Sequence, residues 1–218
     1  MTQVLCVAGA RPNFMKIAPV MAALAETGIA AQLLHTGQHY DAAMSDSFFA
    51  DLGIPRPDHH LEVGSGSHAV QTAEVMKRFE PVLESVQPQA VVVVGDVNST
   101  TACALVAAKR GVRVIHVEAG LRTGNMQAPW PEELNRRIAS LVTALHCAPT
   151  DRAADNLLQE GVASQTVHVT GNTVIDALLW TVARERQQDR PWREKYAALG
   201  ERPMVLITGH RRENFGDG

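Results

Sequence analysis

Short apolar segments recur along the chain and are separated by longer amphipathic ones. The apolar segments are rich in Val, Leu, Ile and Ala, as in residues 90–94, which have the sequence AVVVV. Short segments that are apolar throughout are typical of strands buried on both faces of a sheet. The pattern predicts strands at residues 4–8, 31–35, 90–94, 112–117, 146–148, 166–169 and 204–208.

The segments between these strands have the hydrophobic spacing of amphipathic helices. They predict helices at residues 13–26, 42–52, 67–86, 98–110, 131–144, 151–160 and 174–186, with a short helix after Pro191. Asn98 or Ser99 is a candidate N-cap. Thr150 or Asp151 is another. Pro131 suits a first helical position, because proline lacks an N–H that the first turn could not use.

The regular alternation of strand and helix predicts an α/β fold with a doubly wound parallel sheet. In such sheets ligands bind outside the carboxyl ends of the strands. Each polar residue there is ordinary for a loop by itself, but their recurrence predicts a functional site at this edge. The residues that follow the predicted strands are Arg11, Gln38, His39, Asp96, Glu118, Thr150, Asn172 and His210.

Composition narrows the class of protein. The 218 residues suffice for one large domain or one and a half, and 45% of them are hydrophobic. A net charge of −3 and 5% aromatic residues give no indication of binding to nucleic acid or to a membrane surface. The sequence shows no signal peptide and no apolar run of about 18 residues. With cysteines that lack metal-type spacing, these features predict a cytoplasmic protein.

Carboxylates at the strand ends are the candidates for chemistry. Glu118 follows a predicted strand, and Glu132 lies in the first turn of the next helix, so the two could form an acid–base pair. Alternatively, Glu132 complements the helix dipole and Glu118 is a solvated loop residue. Asp96 follows four valines and a glycine, where a carboxylate either has a chemical role or braces the next turn. His116 lies within a strand and is interpreted as a core histidine.

Cationic residues suggest an anionic ligand. Arg11 and Lys16 lie at the start of the first helix, where N–H groups favour anions, although both could be plain surface charges. His210 and Arg211 follow the last predicted strand and suit a diphosphate, the alternative being a solvated charge run. A G-x-G-x-x-G fingerprint is missing from the first helix, which disfavours NAD. Residues 58–60 (DHH) predict a polar turn rather than a metal site.

Together these motifs resemble the non-hydrolysing UDP-N-acetylglucosamine (UDP-GlcNAc) 2-epimerases. The resemblance extends along all 218 residues. The segments that carry it are GARP at 9–12 with Lys16, TGQH at 36–39, GD at 95–96, HVEAGLRT at 116–123, PEExNR at 131–136, GNTVID at 171–176 and HRREN at 210–214.

This resemblance implies reversible conversion of UDP-GlcNAc to UDP-N-acetylmannosamine (UDP-ManNAc), without a metal or a nicotinamide cofactor. UDP is eliminated to leave 2-acetamidoglucal, then added back with the C2 proton delivered to the opposite face. It implies that Asp96, Glu118, Glu132 and His210 are catalytic. Residues implied to bind substrate are Arg11, Lys16, Asp96, Glu118, His210 and Arg211. A homodimer and a role in polysaccharide biosynthesis are implied as well.

The family's chains continue into a second Rossmann-like domain that supplies most of the nucleotide contacts. The resemblance therefore implies a GT-B-type half at residues 1–172, connecting helices at 173–203, and the first strand and loop of a second Rossmann-like domain at 204–218. We expect the 218-residue chain to be a partial form that carries the catalytic carboxylates and binds nucleotide poorly.

Two other functions are compatible with these residues. One is the hydrolysing relative, which releases ManNAc and UDP; the other is a non-catalytic module that binds sugar nucleotides. The sequence departs from many family members at Asn13, which replaces a glutamate, and at Tyr40 and Asp41. The second departure leaves an allosteric UDP-GlcNAc site an open question.

Overall fold

The computed structural model describes residues 3–37, 49–50, 52–187, 189–200, 202, 204–205 and 207. The chain divides into two compact units, Met1–Thr181 and Val182–Gly218. The first unit contains the sheet and most of the helices. The predicted domain boundaries, at residues 172 and 203, stay predictions.

The first unit is built on a seven-stranded sheet with strand order β3-β2-β1-β4-β5-β6-β7, in which every neighbouring pair is parallel. This confirms the predicted doubly wound α/β class. The strands are β1 (Val4–Ala8), β2 (Ala31–His35), β3 (His59–His60), β4 (Ala90–Val94), β5 (Arg113–Val117), β6 (Leu145–Ala148) and β7 (Val167–Val169).

Strand β3 is the element that the sequence pattern missed. Its two histidines pair with Leu34 and His35 of β2, and Asp58 accepts a hydrogen bond from the Leu33 amide at 2.8 Å. Two polar residues carry no strand signal of their own. The predicted polar turn is therefore corrected to a short edge strand.

The helices between these strands match the predictions closely. They are α1 (Arg11–Glu26), α2 (His68–Val86), α3 (Asn98–Lys109), α4 (Glu132–Val142), α5 (Asp151–Gln159), α6 (Thr173–Gln187) and α7 (Arg190–Lys195). Most of the predicted helix 42–52 lies outside the described residues.

Helix starts follow the sequence signals in one case out of three. Thr150 caps α5, because its side-chain oxygen accepts the Ala153 amide at 3.2 Å. The predicted cap at Asn98 or Ser99 is wrong: Val97 occupies the N-cap position of α3, and both polar residues lie within the helix. Pro131 sits at the N-cap position of α4 rather than at its first helical residue.

Apolar residues cover both faces of the central strands. In β1, Leu5 and Val7 pack into one core cluster, while Cys6 and Ala8 pack into the other. The side chains of β4 alternate in the same way, as expected from the two-residue period of a strand. Phe79 of α2 belongs to the first cluster. The two cores hold the carboxyl ends of these strands at one edge.

The state of the cysteines and the hydropathy of the helices relate to the predictions that were made from composition. Cys6, Cys103 and Cys147 are free thiols, and burial raises the pKa of Cys6 to about 12. None of the helices in the described part of the chain combines the length and hydropathy that a membrane span requires.

The second unit contains α7 and a 3₁₀ turn at Ala197–Leu199. Of the predicted strand 204–208, the structure describes Met204, Val205 and Ile207. These residues are exposed, and none of the three lies in a strand.

Candidate functional site

Residues from α1 and from the end of β5 meet beside Gly95, which follows β4. Gly95 has a φ of +67°, and a Cβ placed there would lie 3.4 Å from Glu118 Oε2, 3.4 Å from Asn13 Nδ2 and 3.7 Å from Lys16 Nζ. The Gly95 amide also donates to the Val117 carbonyl at 3.1 Å. The ends of the two neighbouring strands are thus joined where these polar groups converge.

Glu118 is a carboxylate held by side chains from two distant segments. Lys16 Nζ donates to its Oε2, and Asn172 Nδ2 donates to its Oε1 at 3.3 Å. Its backbone has a φ of +66°, a left-handed conformation that is uncommon for residues other than glycine. Such strained residues cluster at functional sites. The pair brings together an acid and a cation that the sequence places 102 residues apart.

Asn13 joins the ends of β1 and β4. Its Oδ1 accepts the amides of Gly9 at 3.2 Å and Ala10 at 2.9 Å, and its Nδ2 donates to the Val94 carbonyl at 3.3 Å. The side chain is almost fully buried. The sequence analysis noted Asn13 only as a departure from the family. The structure shows that Asn13 braces the start of α1.

Asp96 is bound from α4 rather than by the turn that follows it. Arg136 donates to Asp96 Oδ2 from Nε at 2.9 Å and from Nη2 at 2.6 Å. Asn135 Nδ2 donates to the Asp96 carbonyl oxygen at 2.9 Å. Asn135 and Arg136 were noted in the PEExNR motif but were not predicted as site residues. The motif's spacing was the signal that could have identified them.

Glu132 lies on the same face of α4 as these two residues. Positions i, i+3 and i+4 are neighbours on a helix surface, so Glu132, Asn135 and Arg136 share one face. Because two of them contact Asp96, this face of α4 is turned towards the end of β4. Glu132 Oε2 is buried, and none of the described residues provides a hydrogen-bond partner for it. A buried oxygen without a partner is unfavourable, and in native structures it calls for an explanation such as a catalytic role.

Glu133, next to it, is fully buried and well satisfied. It accepts the amides of Thr123 at 3.1 Å and Gly124 at 3.3 Å, and Arg136 Nη1 at 3.2 Å. Burial raises the pKa of Glu133, but the hydrogen bonds from Thr123, Arg136 and Gly124 and the charge of Arg136 together bring it below its ordinary value. Glu133 therefore ties the loop after β5 to α4 as a carboxylate.

His116 has the structural role predicted for it. It is fully buried in β5, and its Nε2 lies 2.7 Å from the Gly95 carbonyl oxygen. Burial lowers its pKa to about 4, so the ring is neutral near neutral pH. This hydrogen bond supports the backbone at the residue around which the site is assembled.

A family model described as UDP-N-acetylglucosamine 2-epimerase matches residues 22–218. The chain belongs to this UDP-GlcNAc 2-epimerase family. A protein of Ralstonia solanacearum named "Probable UDP-N-acetylglucosamine 2-epimerase" is 45% identical over 100% of the chain. The UDP-N-acetylglucosamine 2-epimerase of Escherichia coli K12 is 39% identical over 99%. The chain spans 59% and 58% of the length of these two relatives.

Solved structures of epimerases match the fold. The Neisseria meningitidis UDP-GlcNAc 2-epimerase bound to UDP-GlcNAc superposes with a TM-score of 0.91 at 37% identity, covering 99% of this chain and 59% of that one. The Methanocaldococcus jannaschii enzyme in complex with UDP-GlcNAc and UDP gives 0.82 at 38% identity, covering 88% and 53%. This chain therefore has the fold of the N-terminal part of these epimerases.

The remaining predicted site residues divide into two groups. Arg11 is exposed at the first position of α1, at the edge where Lys16 and Glu118 meet. His210 and Arg211, together with Gln38 and His39, lie outside the described residues. Within the described part of this family member, no group of three or more His, Cys, Asp or Glu residues is arranged to hold a metal.

Proposed function

We propose that this chain carries the acid–base carboxylates of a non-hydrolysing UDP-GlcNAc 2-epimerase. The observation that supports this most directly is the meeting of Glu118 and Lys16 beside Gly95, the residue that precedes Asp96, with Glu132 on the helix face that contacts Asp96. Carboxylates and a cation at one strand edge are the groups that proton transfer at carbon and departure of an anion require.

The proposed reaction proceeds by elimination and re-addition. One carboxylate takes the C2 proton of the sugar, the electron pair forms a C1–C2 double bond, and the bond from C1 to oxygen breaks so that UDP leaves with its electrons. A carboxylic acid then delivers a proton to the opposite face of C2 of 2-acetamidoglucal, the C1–C2 double bond is consumed, and a UDP oxygen adds to C1. Asp96, Glu118 and Glu132 are the proposed proton carriers and stabilisers of the electron-poor C1.

Cations hold the leaving group in this proposal. Arg11 is the first residue of α1, where helix N–H groups add to the attraction for a diphosphate, and Lys16 lies in the second turn. His210 and Arg211 are proposed to contact the same diphosphate. The proposal also includes a homodimer and a role in polysaccharide biosynthesis, which rest on the family resemblance, and a cytoplasmic location, which rests on composition and cysteine usage.

Solvent isotope exchange tests the proposal. The product of the complete reading frame is incubated with UDP-GlcNAc in D₂O, and the 218-residue chain is assayed in parallel. We expect UDP-ManNAc that carries deuterium at C2 from the complete protein. The 218-residue chain should bind nucleotide poorly and turn over more slowly. Product without deuterium at C2 would rule out proton removal from that carbon.

Phosphorus NMR separates the hydrolysing alternative in the same samples. In a non-hydrolysing reaction the UDP-sugar signal persists and free UDP stays a minor species. Free UDP that accumulates in step with ManNAc would instead show hydrolysis. Either result assigns the subtype, because both reactions begin with the same substrate but only hydrolysis loses the bond to UDP permanently.

Variants of the carboxylates test their roles. We expect Asp96→Asn and Glu118→Gln each to lower kcat by on the order of 100-fold or more, because general acid–base groups contribute roughly 10²–10⁴-fold. Glu80→Gln is the matched control, since Glu80 is an exposed carboxylate on α2. Variants of Asp96 and Glu118 with the kcat of this control would contradict the assignment.

A further inference from the structure

Helix α4 contacts both the backbone and the side chain of Asp96. Asn135 holds the carbonyl oxygen of Asp96, and Arg136 holds the carboxylate. The two contacts come from adjacent residues of one helix, so the position of Asp96 is set relative to α4 and to Glu132 on the same face. The distance in sequence, 40 residues between Asp96 and Arg136, means that the packing of α4 decides this contact.

The guanidinium of Arg136 approaches Asp96 in a particular way. Both Nε and Nη2 donate to the same oxygen, Oδ2, at 2.9 and 2.6 Å. Among the described residues, none donates a hydrogen bond to the other oxygen, Oδ1. The side chain of Asp96 is 23% exposed, and Oδ1 is not among the buried atoms without a partner. Arg136 thus binds one oxygen of Asp96 through two donors and leaves the other oxygen for another contact.

Arg136 is itself held in place by Glu133. Its third donor, Nη1, bonds Glu133 Oε2 at 3.2 Å, and Glu133 is fully buried. Glu133 in turn accepts the amides of Thr123 and Gly124 in the loop between β5 and α4. A planar guanidinium group that is bound to carboxylates on two sides has little freedom to rotate. Its orientation is therefore set before any ligand binds.

We propose that Arg136 is a positioning residue that fixes the orientation of the Asp96 side chain with Oδ1 directed at the substrate, and that Glu133 is the buried anchor that holds Arg136. This inference rests on the proposed function, since it assigns the oxygen that Asp96 uses in that reaction. Arg136 acts through Asp96, because every nitrogen with which it forms a hydrogen bond donates to an oxygen of the protein. Its loss therefore affects the chemical step more than substrate binding.

Steady-state kinetics of three variants tests the proposal. The variants are made in the product of the complete reading frame, and the assay follows the incorporation of deuterium at C2 of the sugar in D₂O. We expect Arg136→Gln to lower kcat by on the order of 100-fold, because small misplacements of a reacting group have effects of this size. KM for UDP-GlcNAc should change little. Arg136→Lys should recover part of the loss, since an ammonium keeps the charge but cannot present the two-pronged contact.

Arg110→Gln is the matched control. Arg110 pairs with Glu84 at 2.7 Å, and both side chains are about half exposed. The control should retain the kcat and KM of the unchanged protein. Circular dichroism of each variant reports the folded fraction, and the Lys variant keeps the charge if the Gln variant does not fold.

Three results would overturn the inference. One is a kcat for Arg136→Gln within about twofold of the unchanged protein, far less than misplacement predicts. Another is a loss carried by KM instead of kcat. The third is full activity of Arg136→Lys, which would mean that charge alone matters. If the unchanged protein fails to deuterate C2, the proposed function fails instead, so the two failures are distinguishable.

Discussion

Gly120 is the residue at which the loop of the site leaves the end of β5. Its φ is +84°, and a Cβ placed there would lie 2.1 Å from the Ala153 carbonyl oxygen of α5. Asn156 also donates to the Gly120 carbonyl at 2.9 Å. Glycine is therefore required twice, for its backbone conformation and for the close approach of a helix.

We predict that Gly120→Ala lowers the free energy of unfolding by about 3 kcal/mol, from a left-handed conformation and a backbone clash together. Gly161→Ala is a matched control, because Gly161 has a φ of +86° but no atom within 4 Å of the added Cβ. The free energy of unfolding of the control should fall by only about 1 kcal/mol, because only the left-handed conformation is then unfavourable. Urea unfolding measures both, and equal losses would mean that the contact with Ala153 is unimportant.

Helix α5 shows how a local sequence signal sets an element boundary. Thr150 adopts an extended conformation and accepts the Ala153 amide, and Asp151 places a negative charge in the first turn. The cap satisfies one of the N–H groups that a helix start leaves without partners. The same helix packs against Gly120, so its position influences the loop of the site.

We predict that Thr150→Ala lowers the free energy of unfolding by about 1 kcal/mol, the usual effect of losing a capping oxygen. Thr150→Ser keeps that oxygen and should stay close to the unchanged protein. Urea unfolding of the two variants side by side gives the comparison. A serine variant as unstable as the alanine variant would indicate that the threonine methyl group, rather than the cap, is responsible.

Buried histidines couple the stability of the whole molecule to pH. Burial lowers the pKa of His116 to about 4, with the Gly95 carbonyl opposing this and His146, Arg122 and Asp96 acting as nearby charges. Burial and the neighbouring His60 ring lower the pKa of His35 to about 4. The rings of His35 and His60 are joined by a 2.8 Å hydrogen bond between Nδ1 and Nε2. Both core histidines are therefore neutral in the folded protein.

We predict that acid destabilises the fold before its carboxylates titrate. The unfolded histidines bind protons near pH 6.5 and the folded ones near pH 4, so the unfolded state binds more protons between these values. Stability is fully present above about pH 7.5 and falls by about 2 kcal/mol for each histidine between about pH 7.5 and 5. Urea unfolding at these pH values measures the loss. A flat profile would show that His116 and His35 titrate normally.

Short-range pattern was sufficient for most of the fold. The run of valines at β4, the cap at Thr150 and the buried His116 depend on neighbours within a few residues and on simple burial, so the chain order alone predicted them. Parallel strands then bring distant strand ends to one edge, which is why Asp96 and Glu118 could be expected together.

Contacts between distant segments required the folded chain. The pairing of Arg136 with Asp96, the brace formed by Asn13 and the two-residue strand β3 depend on how α4, α1 and β2 pack. Local periodicity says which face of a helix is apolar, but it does not say which polar side chain on the other face meets which partner. That choice follows from the packing of whole elements, and it is what orients the carboxylate of Asp96.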